Sequence, residues 1–364
     1  MGHVSGLALS RQFYWSAVRP VLDEAAPGLR HSAALIGSGS EVLGFDNEMS
    51  SDHHWGPRAL VFLAEADYLA LAERLSTALA EHLPVSFLGY STNFSSPNPE
   101  DSGTQLLQPV TSGPVNHRVE IFTPGRFFKE YLGIDPAGPM EAVDWLVLEE
   151  QRLRTVTAGE VFYDGLGELE PRRQKLTWYP TDVWLYLLAA EWMKISQEEP
   201  FVGRCGSVGD DIGSSLVTAR LVQAVMRLSF LMEKQYPPYS KWFGTAFARL
   251  ACASQLGPHL AAALAGGSWQ EREAALCQAY ELAAGLHNAL GLTPILPGQV
   301  SLFHGRPFRV IHGERFASAL LQAVTDPAVR SLPPYVGSGN SFVASVDVLS
   351  APRLCRRLGS LYHV

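Results

Sequence analysis

The sequence predicts an α+β protein: an N-terminal α/β domain with a mixed sheet, followed by an all-helical C-terminal domain. Three observations carry that prediction. Helix-period and strand-period patterns interleave through residues 1–135. From Met140 onward, long apolar stripes at helical spacing take over. Between the two textures lies "LGIDPAGP", residues 132–139, a run rich in glycine and proline. A chain of 364 residues is also too long for one ordinary core, so two domains are expected, 1–135 and 136–364.

In chain order, residues 10–24 read as an amphipathic helix, with Phe13, Val18, Val21 and Leu22 at near-helical spacing and Pro27-Gly28 closing it. Residues 31–36 and 58–63 are short apolar strands. Residues 67–83 form a helix in which Leu71, Leu75, Leu79 and Leu83 recur every fourth position. Residues 85–90 are strand-like. Residues 91–114, rich in Ser, Pro, Asn and Gly, read as a long loop or mobile flap. "RVEIFT", residues 118–123, is a strand with alternating faces. In the second half, helices are expected at 182–195, 210–233, 241–256, 269–290 and 315–324. The second of these carries Ile212, Leu216, Ala219, Met226 and Phe230 on one face.

Composition narrows the function. Apolar residues make up 47% and charged residues 18%, a core-forming balance. A net charge of −8 argues against a nucleic-acid partner, which leaves a basic footprint, but admits a small anionic substrate. The 4 cysteines form no CxxC pair and no metal-finger pattern. No charged-then-apolar leader is evident, and no apolar run reaches the roughly 18 residues of a membrane span. A cytoplasmic protein without a membrane partner is the expectation; its oligomeric state is left open.

The densest stretch is "IGSGSEVLGFDNEMSSDHHWGPRALVFL", residues 36–63. A dinucleotide fingerprint would need glycine where Val42 stands, and neither a GK[ST] loop nor a GxSxG elbow occurs. What remains is a strand running into Gly37-Ser38-Gly39-Ser40 and a helix-like turn. Two glycines let backbone N–H groups approach an anion, serine hydroxyls add donors, and a following helix N-terminus favours negative charge. Asp52 and His54 lie two apart, so an extended segment from Ser51 to Trp55 puts both on one face. Glu120 stands mid-strand between Val119 and Ile121, where a carboxylate is costly without a cation or partner. Plain readings compete at every position: a simple turn, a loop or cap acid, a histidine wall, an edge-strand charge. Arg58, directly after Gly56-Pro57, is either a phosphate clamp or the salt-bridge partner of a buried acid. Arg204 and Arg306 carry the same two readings.

The joint order of Gly-Ser, Asp-x-His and a later strand acid resembles the nucleotidyltransferase superfamily, the fold of polymerase beta and the kanamycin nucleotidyltransferases. That family's core is a Gly-Ser turn, an Asp-x-Asp/Glu pair on the next strand and a third carboxylate on a later strand. More widely, "GSGSEVLGFD", "SSDHHWGPRALVFL", "WYPTDVWLYLLAAEW", "EEPFVGRCGSVGDDIGSSL", "YPPYSKWFGTAF" and "HNALGLT…RPFRVI" resemble the family called domain of unknown function 4037. The resemblance implies transfer of a nucleoside monophosphate from an NTP to a small-molecule or protein acceptor. Asp52, His54 and Glu120 would be catalytic and hold Mg²⁺ or Mn²⁺. Gly37, Ser38, Gly39, Ser40, Arg58 and Lys241 would bind the nucleotide.

His54 departs from the pattern, which there has a second carboxylate. Imidazole suits softer cations than magnesium. A changed metal, a one-metal enzyme, or a nucleotide- or partner-binding protein without transfer activity would each follow. Asp46 and Glu48 stand close enough in sequence to compensate from the loop side. The Asp-His-His run also admits a metal-dependent phosphohydrolase, although the preceding Asp-bearing strands of such enzymes are missing. In the helical half, "GDDIGSS" places Asp210 and Asp211 in the first turn of a helix, where they complement its dipole, or where Asp211 serves as general base. "YPPYSKW" presents Lys241, which either neutralises the triphosphate or is solvated beside packed aromatics.

Overall fold

The computed structural model describes residues 4–52, 55–101 and 103–363; the side chains of Ser51 and Asp52, and all of His53 and His54, lie outside that description. The chain forms two compact units, Met1–Pro139 with Arg152–Thr177, and Met140–Gln151 with Trp178–Val364. The class is α+β, with a mixed sheet in the first unit and helices through the second.

The first unit is built on β1 (His31–Leu35) and β2 (Arg58–Leu63), which are antiparallel. Two short strands, β3 (Ser86–Phe87) and β4 (Tyr90–Ser91), make a hairpin where one longer strand was expected. β5 (Arg118–Phe122) lies parallel to β2, and β6 (Glu160–Asp164) lies antiparallel to β1, giving the order β5-β2-β1-β6. The strand period decides which side chains meet. Ala33, Leu35, Ala59, Val61, Leu63 and Val119 point to one face. There they bury Phe13, Val18, Val21 and Leu22 of the N-terminal helical segment, residues 6–25, and Leu75 and Leu79 of α3 (Glu65–His82). Each such side chain contributes about 1.5–3 kcal/mol of burial. That segment comprises α1 (Gly6–Phe13), a π-helical turn (Tyr14–Val18) and α2 (Arg19–Ala25). On the other face, Phe62 meets Phe127 edge-on at 5.5 Å, from α4 (Pro124–Leu132). Thr123 caps that helix through Arg126 N–H, and Gly133 at φ +80° ends it.

β6 corrects the expectation that everything after residue 135 is helical. Its signal was present: "VFY", residues 161–163, stands between Gly159 and Gly165. Residues 91–114 correct a second expectation. They are not a bare flap but a hydrogen-bonded hairpin, with bridges Phe94–Leu107 and Asn98–Thr104. The polar composition that suggested a loop supplies its cross-links. Asn93 Nδ2 donates to Gln108 O, and Asn116 Nδ2 to Phe94 O.

The short helices α5 (Ala142–Val147), α6 (Glu150–Thr157) and α7 (Leu169–Lys175) precede α8 (Thr181–Glu198); α5 and α8 belong to the second unit, α6 runs from it into the first, and α7 belongs to the first. α8 is the central helix of the second unit, buried along most of its length. Its Trp192 stacks on Phe316 at 4.3 Å and donates to His287 Nδ1. Burial pushes His287 down to about 4, so it is a neutral core histidine. After α9 (Phe201–Gly206), α10 (Asp211–Met232) is long and apolar enough to cross a membrane by length and composition, and 56% of its apolar window is buried inside the structure. The single helix expected at 241–256 is two, α11 (Ser240–Phe247) and α12 (Ala253–Ala265). The Glu233 carboxylate accepts the N–H groups of Ala251 and Cys252, both at 2.8 Å, and so starts the second helix afresh. α13 (Trp269–Ala289) follows, and then a two-residue hairpin of β7 (Ser301–Leu302) and β8 (Arg309–Val310). α14 (Gly313–Ala323) packs back on α8.

Candidate functional site

Because β1 and β2 are antiparallel and β2 and β5 parallel, the end of β1 and the starts of β2 and β5 share one edge of the sheet. Arg58 pairs in register with Arg118, and Leu60 with Glu120. Alternation then puts Arg58, Arg118 and Glu120 on the face opposite Val61 and Val119. The Gly37-Ser38 turn leaves β1 at this same edge, and Arg58 Nη2 donates to Ser38 O at 2.5 Å.

The turn differs from a ready anion cradle. Gly37 adopts φ +85°, and its N–H donates to Thr155 O at 3.0 Å, so that donor is already engaged. No α-helix follows. Ser40 O accepts from Leu43 and Phe45 N–H, closing a short turn over residues 40–44, so the expected helix dipole is absent here. Gly39 is required by close approach: a Cβ there would lie 2.1 Å from Arg58 Nη2. The Ser38 side is exposed to solvent.

Arg58 takes the salt-bridge reading. It is buried and binds Glu41, Nε to Oε1, at 2.7 Å. Glu41 is a functional partner that motif spacing does not mark, but a signal for it is present: Glu41 and Arg58 are lone charges in the apolar runs "SEVLGF" and "WGPRALVFL". A buried ion needs a partner.

Asp52 ends a 3₁₀ turn (Glu48–Asp52), and β2 starts only at Arg58, so the expected extension from Ser51 fails at Ser51 and Asp52. Its side chain and His54 lie outside the described residues. Asp46 accepts from Gly6 N–H and Trp55 Nε1, which ties α1 to this loop. Glu120 lies on the edge strand with its side chain 46% exposed, 3.4 Å from Arg118. Among the described residues no three His, Cys, Asp or Glu side chains are grouped to hold a metal. Of the three expected ligands only Glu120 is described, and its carboxylate faces a guanidinium. The described donors therefore do not by themselves fit a divalent-cation site.

Arg118, which no motif in the sequence marks, is the better-placed cation. Its Nη1 donates to Gln105 Oε1 at 3.1 Å, and its guanidinium lies 5.9 Å from the Phe94 ring centre. Burial lowers its pKa, Glu120 opposes that, and the neighbouring Arg58 adds to it.

In the second unit, Asp210 caps α10 by accepting Gly213 N–H at 2.8 Å. Asp211, in the first turn, is 71% exposed and 3.4 Å from Arg272. Lys241 is exposed at the start of α11, its ammonium 5.1 Å from the Trp242 ring. A buried ion cluster also lies here, among residues that no motif in the sequence marks. Arg227 binds Glu150 at 2.8 Å and Glu191 at 3.2 Å, and Tyr179 OH donates to Glu150 at 3.4 Å. Glu191 Oε2 is buried with no hydrogen-bond partner among the described groups. Burial raises Glu150 although Arg227 resists; burial opposes the charge on Arg227, but the two carboxylates hold its pKa above the ordinary arginine value.

Residues 145–243 match the model of a family described as Domain of unknown function (DUF4037). Glu150, Tyr179, Glu191 and Arg227 all fall inside that segment. No curated protein matches the sequence.

Proposed function

We propose, for this chain with its DUF4037 segment, that the first unit is a nucleotidyltransferase-type module that binds an NTP and passes its nucleoside monophosphate to an acceptor hydroxyl. The supporting observation is the sheet edge itself. A Gly-Ser turn after one strand, a second strand antiparallel to it, and a third strand parallel to the second bring Ser38, Arg58, Arg118 and Glu120 to one end and one face. The resembled superfamily likewise follows a Gly-Ser turn with strands that carry its acids; of the expected acids only Glu120 stands on such a strand here, and Asp52 ends the 3₁₀ turn before β2.

In that reaction the acceptor oxygen attacks the α-phosphorus. The bond from that phosphorus to the bridging oxygen breaks, pyrophosphate leaves with the electron pair, and the acceptor proton passes to a base or to water. Ser38 and the cations of this edge would orient the polyphosphate, and Glu41, by fixing Arg58, would hold the turn in place. Asp52, His54 and Glu120 would hold Mg²⁺ or Mn²⁺, which would supply charge stabilisation at the phosphate oxygens.

A second reading has its own support. His54 stands where a carboxylate is expected, and Glu120 faces Arg118. Both fit a module that binds nucleotide without transferring it. Incubation with labelled NTPs and Mg²⁺ or Mn²⁺, for wild type and Asp52→Ala, separates the two. Pyrophosphate release that disappears in the variant supports transfer. Nucleotide binding without turnover in either metal supports the binding module, and release of orthophosphate alone points to phosphohydrolysis.

A further inference from the structure

We propose that Ser301, His312 and Glu314 form a nucleophile–base–acid triad that hydrolyses carboxylic esters at an open face of the second unit. This activity is separate from the nucleotide chemistry of the first unit and does not rest on it.

The β7–β8 hairpin brings the three residues together. Ser301 stands opposite Val310, and His312 follows just after β8, where the chain turns into α14. Ser301 Oγ lies 2.9 Å from His312 Nε2. Across the ring, His312 Nδ1 lies 3.4 Å from Glu314 Oε1. Glu314 Oε2 in turn accepts the Ser196 hydroxyl of α8 at 2.7 Å. A carboxylate only accepts, so the ring proton belongs on Nδ1. That leaves the Nε2 lone pair toward the serine hydroxyl, the arrangement a nucleophile and its base require. Burial opposes the charge on Glu314, but the Ser196 hydroxyl and Glu314's own N–H hold its carboxyl below the ordinary glutamate range. Its place in the first turn of α14 favours the same charge.

Two backbone features fit the same reading. His312 sits at φ +60° and ψ +58°, left-handed for a residue with a Cβ, a local strain of the kind that collects at working sites. Phe303 N–H donates to Phe308 O, so Leu302 faces Arg309 at a non-hydrogen-bonded position and its N–H points away from β8. The N–H of the residue after a nucleophile is a donor that a developing oxyanion can use. Ser301 is exposed and the His312 side chain is 26% exposed, so an ester reaches both.

In the reaction, Ser301 Oγ attacks the ester carbonyl carbon as its proton passes to His312 Nε2. The carbonyl electron pair moves onto oxygen and returns as the bond to the alcohol oxygen breaks, and Nε2 gives that oxygen the proton. Water then attacks the acyl-serine and passes a proton to Nε2. The bond from the acyl carbon to Oγ breaks, and the proton returns to Oγ. Ester and water become acid and alcohol.

The test exposes the full chain to p-nitrophenyl acetate and to a fluorophosphonate probe, with the labelled peptide mapped by mass spectrometry. Wild type is expected to hydrolyse the ester and to carry the phosphonate on Ser301. Ser301→Ala should lose both, and His312→Ala should lower kcat/KM by about 100-fold or more. Glu314 acts through His312, so Glu314→Gln should lower kcat by about tenfold or more with KM unchanged. A merely structural glutamate would leave kcat as it is. Absence of label on Ser301 in wild type overturns the proposal, and so does an equal labelling rate in His312→Ala. Ester hydrolysis that survives Ser301→Ala unchanged overturns it too, since surface imidazoles and amines also split this ester. If circular dichroism shows that the His312 or Glu314 variant does not fold, wild type and Ser301→Ala decide by themselves.

Discussion

Arg58 and Glu41 are each nearly stripped of water, and each satisfies the other. Removing one leaves a buried charge unpaired, so Arg58→Ala is expected to cost about 3–5 kcal/mol in urea unfolding. Arg58→Met combined with Glu41→Leu should recover much of that loss; a double variant as unstable as the single one would show that shape, and not charge, holds the turn. Glu199 offers a residue-scale test of pH dependence. Its carboxylate accepts Ile311 and Gly313 N–H, yet burial pushes it up to about 8. The folded state therefore binds the proton more tightly than the unfolded state. The stabilisation is complete below the unfolded value of 4.5 and is lost as pH rises toward about 8. Wild type should lose stability over that window more steeply than Glu199→Gln. Parallel pH profiles for the two proteins in denaturant titrations would refute the assignment.

The hairpin 93–108 is an element whose composition misleads. Serine, asparagine and proline suggested an unstructured flap, but Asn93 and Asn116 use their amides to replace missing backbone pairing. Asn116→Ala is expected to cost about 1–3 kcal/mol and to speed amide exchange at Ser95, Asn98 and Gln108, whose N–H groups pair within the hairpin. Unchanged protection at those three amides would mean the side chains are ornamental to the hairpin. The hairpin also has packing reasons to sit where it does. Phe94 and Leu107 leave no room for a Cβ at Gly56, where the chain turns into β2. Patterns repeated along one element were the readable part: Leu75 and Leu79 lie where their spacing put them, in the core. Position 233 was unreadable because its effect is non-local, a carboxylate capping backbone N–H groups 18 and 19 residues away.

At the scale of the molecule, the chain leaves its first unit and returns to it. Residues 152–177 supply β6, the acceptor for Gly37 N–H, and Arg173, which binds the carbonyls of Val156, Thr157 and Ala158. A chain cut after Pro139 would leave one edge of β1 unpaired, a site for aggregation. It is expected to show no sigmoidal thermal transition and to self-associate in sedimentation; a cooperative monomer would refute that. In the second unit Arg227→Met should strand two buried carboxylates and cost about 3–5 kcal/mol, seen as a lowered thermal midpoint.

By itself, the sequence determined the α+β class, the sheet-forming runs at 31–36, 58–63 and 118–123, and the Gly-Ser edge. Those properties follow from local period and local backbone freedom, which residues express wherever they are placed. Only the tertiary structure decided which charge answers which. Arg58 turned inward to Glu41, Arg118 took the partly buried position beside it, and Glu120 became the edge-strand partner of an arginine. The energy of a charge depends on solvent exposure and on neighbours brought from distant parts of the chain, and neither is written in the spacing of a motif.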